Sequence, residues 1–188
     1  MDTSADREKL KSLLKKHSVH HGEFTLASGE KSNVYVDCRL TTLRAEAMPL
    51  IGRLLLERSA ERGWRPTAVG GLTMGADPVA TAVARESLDS GGSPVNAYLI
   101  RKEAKGHGRG RFLEGLEEPK GHEAIVVDDV CTSGGSTLQA IERSREAGII
   151  VLGALCVVDR EAGGREAIEA LGVSFERLFT MDELLEQK

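Results

Sequence analysis

Ile125-Val126-Val127-Asp128-Asp129-Val130-Cys131-Thr132-Ser133-Gly134-Gly135-Ser136-Thr137 decides how the chain is read. An apolar run ends in two adjacent acids, passes through a hydroxyl-rich double-glycine turn, and enters a helix-like segment from Leu138 to Ala147. The pattern predicts a buried strand that delivers carboxylates at its carboxyl end. Free backbone amides at the following helix N-terminus suit a phosphate. The acids suit sugar hydroxyls, directly or through a metal. Acid-rich and Gly-Gly turns also occur in plain strand–turn–helix connections. Two details favour a ligand here. Asp128 and Asp129 repel one another, which an ordinary loop would not gain from, and Thr132, Ser133, Ser136 and Thr137 crowd around the glycines. No Gly-Lys-Ser/Thr follows at P-loop spacing and no Gly-x-Gly-x-x-Gly opens the helix, so both of those nucleotide motifs are excluded.

Outward from this stretch, strands and helices alternate. Val34 to Asp37 predicts a short strand and Leu43 to Arg62 a long helix, with Ala47, Leu50, Ile51, Leu54 and Leu55 at helical spacing. Ala68 to Gly71 is a strand, Asp77 to Leu88 a helix, and Val95 to Ile100 a strand. Arg101 to Gly121 is a long glycine-interrupted loop. Ile149 to Val158 is a fully buried strand, Arg165 to Leu171 a helix, Phe175 to Phe179 a strand and Asp182 to Gln187 a helix. The alternation predicts an α/β fold with a doubly wound, mostly parallel sheet flanked by helices. The first 40 residues or so, with a charged helix from Asp6 to Lys16, break the alternation and are expected to cap the sheet. We expect one domain over residues 1–188, with an α/β core over about 65–180.

The 188 residues, 40% hydrophobic and 29% charged, suit a globular domain with its own core. No apolar run reaches the roughly 20 residues that cross a bilayer. Met1 to Lys11 lacks the apolar core of a signal peptide. The formal net charge of −4 argues against nucleic acid as the partner. Cys38, Cys131 and Cys156 are odd in number and widely spaced, which fits a reducing cytoplasm. His17, His20 and His21 have no acid or cysteine at ligand spacing and read as a polar helix end.

Four further stretches carry candidate chemistry. Gly70-Gly71-Leu72-Thr73-Met74-Gly75-Ala76-Asp77-Pro78 follows a strand; Asp77 can cap the next helix and Pro78 suits its first turn. In open α/β sheets ligands sit beyond the carboxyl ends of strands, so this turn and the Asp128 turn should face one crevice. Arg101-Lys102-Glu103-Ala104-Lys105-Gly106-His107-Gly108-Arg109-Gly110-Arg111 packs cations into a glycine-interrupted loop, either a solvated basic loop or a mobile lid over a polyanion. Phe24 to Arg39 holds a turn, Ser28-Gly29-Glu30-Lys31, and Tyr35, an edge aromatic or a face for a flat ligand. Arg160, at the end of a buried strand, either pairs with Asp159 or Glu161 or binds an anion bidentately.

These stretches, in this order, resemble the type I phosphoribosyltransferases, and the orotate phosphoribosyltransferases in particular. The resemblance covers nearly the whole chain and implies transfer of a 5-phosphoribosyl group from phosphoribosyl pyrophosphate (PRPP) to orotate, with Mg²⁺. It implies that Asp128 and Asp129 hold the ribose hydroxyls and are the candidate protein ligands of a metal bound mainly through PRPP. Thr132, Ser133, Gly134, Gly135, Ser136 and Thr137 would cradle the 5-phosphate, beside Val130 and Cys131. Thr73 and Gly75 belong to the diphosphate loop; some relatives carry a lysine where Gly75 stands. Residues 101–115 would form the catalytic lid, with Arg101, Lys102, Lys105 and His107 on PRPP, reaching into the other subunit of a homodimer. Tyr35, Lys31, Thr132 and Arg160 would serve orotate, Arg160 taking its carboxylate and Lys31 replacing a family lysine absent at Ala27. Purine phosphoribosyltransferases and non-catalytic regulators on the same fold are the alternatives; the lid and Arg160 speak against the first, and the lack of a basic surface or added DNA-binding segment against the second.

Overall fold

The computed structural model describes residues 3–25, 31–89, 91–103 and 112–186. Helix α1 (Ser4–His17) leads into an antiparallel hairpin of β1 (Val19–Thr25) and β2 (Lys31–Val36). Then follow α2 (Arg39–Thr42), α3 (Met48–Glu61), β3 (Ala68–Leu72), α4 (Ala76–Asp89), β4 (Asn96–Ile100) and β5 (Leu113–Glu114). The second half runs β6 (Glu123–Cys131), α5 (Gly135–Glu146), β7 (Ile150–Asp159), α6 (Gly164–Glu169), β8 (Phe175–Thr180) and α7 (Met181–Leu185).

The main sheet has the order β5-β4-β3-β6-β7-β8 and is parallel except for the short β5 at its edge. Its central strands are apolar on both faces because both faces are covered. On β6, Ile125 and Val127 join the core beneath α1, α3 and α4, where Leu10, Leu14, Ile51, Leu55, Val79 and Val83 are buried. Ala124 and Val126 point the other way, into a core with Ala140 and Ile141 of α5 and Ile168 of α6. The period of two along the strand therefore feeds two cores and makes the sheet doubly wound.

The structure departs from the sequence reading in several places. The helix expected over 43–62 begins at Met48, after a short α2 and a turn. Pro49 is in its first turn, the only part of a helix that needs no amide from it. His20 and His21 lie in β1, opposite Tyr35 and Val34, and do not extend the helix, which ends at His17. Strand β6 runs on through the acid pair to Cys131, because β7 pairs with it to its end. The loop expected over 101–121 contains β5, paired with β4. Of the segment expected to cap the sheet, α1 instead packs into the core through Leu10 and Leu14, while the hairpin carries Tyr35 to the site described next.

Candidate active site

At the carboxyl ends of β3 and β6 the chain encloses a cavity of about 490 Å³. Asp128 and Asp129 form one wall, and Thr73, Met74 and Gly75 of the β3–α4 turn another. Tyr35, Asp37 and Arg39 close it from the hairpin side, with Lys102 and Ser136 at its rim. The two turns read as facing one crevice do so.

Asp128 is only 5% exposed. Its carboxylate accepts the Asp129 amide at 3.0 Å, and the Asp129 carboxylate accepts the Val130 amide at 2.9 Å. Each acid is thus pinned by the peptide that follows it. Burial, then the neighbouring charge of Asp129, pushes Asp128 up to about 8. Burial also raises Asp129, opposed in part by amide hydrogen bonds and by the nearby charge of Arg39. Two acids in one desolvated wall cannot both ionise freely, so the pair holds a proton more readily than a free carboxylate does.

Beside this wall the chain turns into α5. Gly134 caps the helix in the left-handed region (φ 80°), a conformation glycine adopts without strain. Thr132, Ser133, Gly135 and Ser136 are exposed, and Thr137 is buried with no hydrogen-bond partner for its hydroxyl among the described residues. The turn rests on a residue the sequence reading passed over. A Cβ on Gly164 would lie 2.4 Å from the Cys131 sulfur and 2.7 Å from the Thr132 carbonyl. Cys131 itself is buried, and its thiol is pushed up to about 12 by desolvation. A phosphate at this turn would meet amide and hydroxyl donors at the positive end of a helix.

The remaining expected residues divide. Tyr35 is half-exposed at the cavity, its ring 5.5 Å from that of Phe24. Lys31 is exposed at the start of β2, on the Tyr35 side of the strand, but does not line the cavity. Arg101 turns towards Glu114, 3.6 Å away, rather than into the cavity. Arg160 donates its amide to the Cys131 carbonyl at 2.9 Å, which ties it to the start of the turn into α5. Its side chain does not line the cavity and has no ion pair among the described residues. Asp159 and Glu161 pair instead with Arg177 of β8, at 3.1 and 3.4 Å. Lys105 and His107 lie outside the described residues.

Asp37 and Arg39 were missed as site residues. Asp37 grips the Arg39 guanidinium at 2.9 and 3.0 Å. The available signal was an acid and a base two residues apart, at positions two and four after Tyr35. As to metal, no group of three or more potential ligand side chains occurs among the described residues. The acid pair is a donor set that fits Mg²⁺ only when substrate oxygens complete its shell.

Comparison with known proteins agrees with this geometry. The model of the phosphoribosyl transferase domain matches residues 41–181. Orotate phosphoribosyltransferase of Corynebacterium glutamicum is 46% identical over 178 residues, covering 95% of this chain and 93% of the relative. That of Aquifex aeolicus is 46% identical over 184 residues, covering 96% and 98%. The crystal structure of the Mycobacterium tuberculosis orotate phosphoribosyltransferase in complex with PRPP superposes with a TM-score of 0.81 at 39% identity, over 95% of this chain and 98% of that one. The chain therefore belongs to the phosphoribosyl transferases, on their orotate phosphoribosyltransferase branch.

Proposed function

We propose that this protein transfers the 5-phosphoribosyl group of PRPP to orotate, releasing diphosphate and forming orotidine 5-phosphate. The observation that carries the reading is the buried acid pair, Asp128 and Asp129, on one wall of a cavity whose other wall is the backbone of a glycine turn. Breaking the anomeric C–O bond builds positive charge on the ribose and negative charge on the departing diphosphate. The carboxylates favour the first. Lys102 at the cavity and the further cations of the lid sequence favour the second. Amides and hydroxyls of Thr132 to Thr137 anchor the 5-phosphate, so the anomeric carbon is held in place as the bond breaks. Tyr35 offers a face to the flat pyrimidine, and Arg160 a partner for its carboxylate. No side-chain nucleophile takes part.

Asp128 and Asp129 are the residues that would hold Mg²⁺ together with PRPP oxygens, and the metal would supply Lewis-acid neutralisation of the diphosphate. In this reading the enzyme works in the cytoplasm as a homodimer whose lid, residues 101–115, completes the neighbour's site. Leu40 and Leu43, just beyond Arg39, and Met74 in the cavity wall are exposed, as apolar residues at a subunit contact would be. No helix among the described residues is long and apolar enough to cross a membrane.

Mixing the protein with PRPP, Mg²⁺ and orotate should consume orotate's ultraviolet absorbance and release diphosphate. Turnover with adenine, guanine or hypoxanthine and none with orotate would move the protein to the purine branch. PRPP binding with no turnover of any base would make it a regulator.

A further inference from the structure

The cavity faces its polyanionic substrate with two acids, and something fixed must offset them. On the scaffold, the diphosphate turn cannot carry a cation at Gly75, since a Cβ there would lie 2.4 Å from Asp129 Oδ1 and 2.5 Å from Asp128 Oδ1. Beside Lys102, which follows β4, Arg39 is a cation supplied from the hairpin side. It lines the same cavity as Gly75 and both acids.

Its guanidinium is held as a tool rather than left to wander. Nε donates to Asp37 Oδ1 at 2.9 Å and Nη2 to Asp37 Oδ2 at 3.0 Å, while the Arg39 amide donates to Asp37 Oδ1 at 3.1 Å. This bidentate grip occupies one edge of the planar fork. The end edge, formed by Nη1 and the second proton of Nη2, has no partner among the described residues. A guanidinium clamped on one edge and open on the next matches two oxygens of one phosphate, and ordering it beforehand lowers the entropic cost of binding. Arg39 is also close enough to Asp129 for each to stabilise the other's charged form.

We infer that Arg39, oriented by Asp37, is a scaffold-borne ligand of the PRPP diphosphate. The inference rests on the phosphoribosyl-transfer reading above. Asp37 is a positioning residue; Arg39 touches the leaving group.

The test is binding of inorganic diphosphate with Mg²⁺ to the full-length protein by calorimetry, beside steady-state kinetics. Arg39→Ala should weaken diphosphate about 10- to 100-fold, the range for a lost charge-assisted pair, and raise KM for PRPP while KM for orotate stays near the parent's. Arg39→Lys keeps the charge but loses the fork, so it should restore only part of the affinity. Asp37→Asn separates orientation from charge. It makes the site more positive, so a purely Coulombic role predicts tighter diphosphate binding, whereas the clamp predicts weaker. Unchanged diphosphate affinity in Arg39→Ala, an effect confined to orotate, or tighter binding in Asp37→Asn would each overturn the assignment. Unfolding is checked by circular dichroism, with Arg39→Lys as the folded control. If the parent itself turned over no orotate, the functional reading would fall, yet diphosphate binding would still report on Arg39.

Discussion

Gly75 stands against Asp129 with no room between them: a Cβ on the glycine would lie 2.4 Å from the Asp129 Oδ1 atom. The two residues come from the ends of adjacent strands, β3 and β6, so the strand order itself creates the contact. Gly75→Ala must push aside carboxylates that are pinned by the next amides. It should cost about 1–3 kcal/mol of stability by overpacking. Displacing the acids should lower kcat/KM for PRPP by about 10²-fold. Urea unfolding and steady-state kinetics check both; parent-like kinetics would mean that the acids do not need their observed positions.

The acid pair should show itself in pH dependence without substrate. Asp128 sits near 4 when unfolded and is pushed up to about 8 by burial and by Asp129. Between those values the folded protein binds more protons than the unfolded chain, so this pair's contribution to stability falls as pH rises through that window and levels off above it. Asp128→Asn removes the penalty and should stabilise the empty protein at pH 8 by about 1–3 kcal/mol relative to pH 5, while abolishing most turnover. Denaturant melts at both pH values read the first effect. An equal gain at pH 5 and pH 8 would contradict it.

Gly164 lies against the turn into α5, leaving no room for a Cβ beside Cys131 and Thr132. Gly164→Ala should lift that turn and raise KM for PRPP about 10-fold, since sub-ångström displacement of a positioning group is costly. KM for orotate should change less. A KM for PRPP equal to the parent's would show that the turn tolerates the shift.

Arg177 neutralises Asp159, which is 1% exposed and lies 3.1 Å away. Asp159 also accepts the Glu161 amide at 2.8 Å, and so shapes the turn that carries Arg160. Arg177→Ala strands a buried charge and should destabilise by about 3 kcal/mol, at the low end for a broken buried pair because Arg177 is partly exposed. Thermal unfolding reads the loss, and Arg177→Lys should recover part of it.

Lys105 lies outside the described residues, and its prediction rests on the functional reading alone. Lys105→Ala should lower kcat by about 10²–10³, the scale for losing one donor to the developing charge. If the lid serves the neighbouring subunit, mixing Lys105→Ala with an inactive protein changed at Asp128 and Asp129 should restore some turnover. Mixtures that stay inactive would confine the lid to its own subunit.

The residue pattern by itself determined the alternating α/β architecture, the acid pair, the hydroxyl-rich turn into α5 and the glycine turn that shares its end of the sheet. Each is written within a window of about a dozen residues, where side-chain period, glycine freedom and adjacent charge act locally. What only the tertiary structure decided is who meets whom. His20 and His21 became strand because Tyr35 and Val34 lie opposite them. Asp159 found Arg177 rather than Arg160 because β8 lies beside β7. Arg39 entered the cavity, Gly164 slid beneath Cys131, and Gly75 met Asp129 through the order in which distant segments pack. Sequence spacing encodes the period of a strand or helix but not its partner, which is selected by burial summed over the whole core.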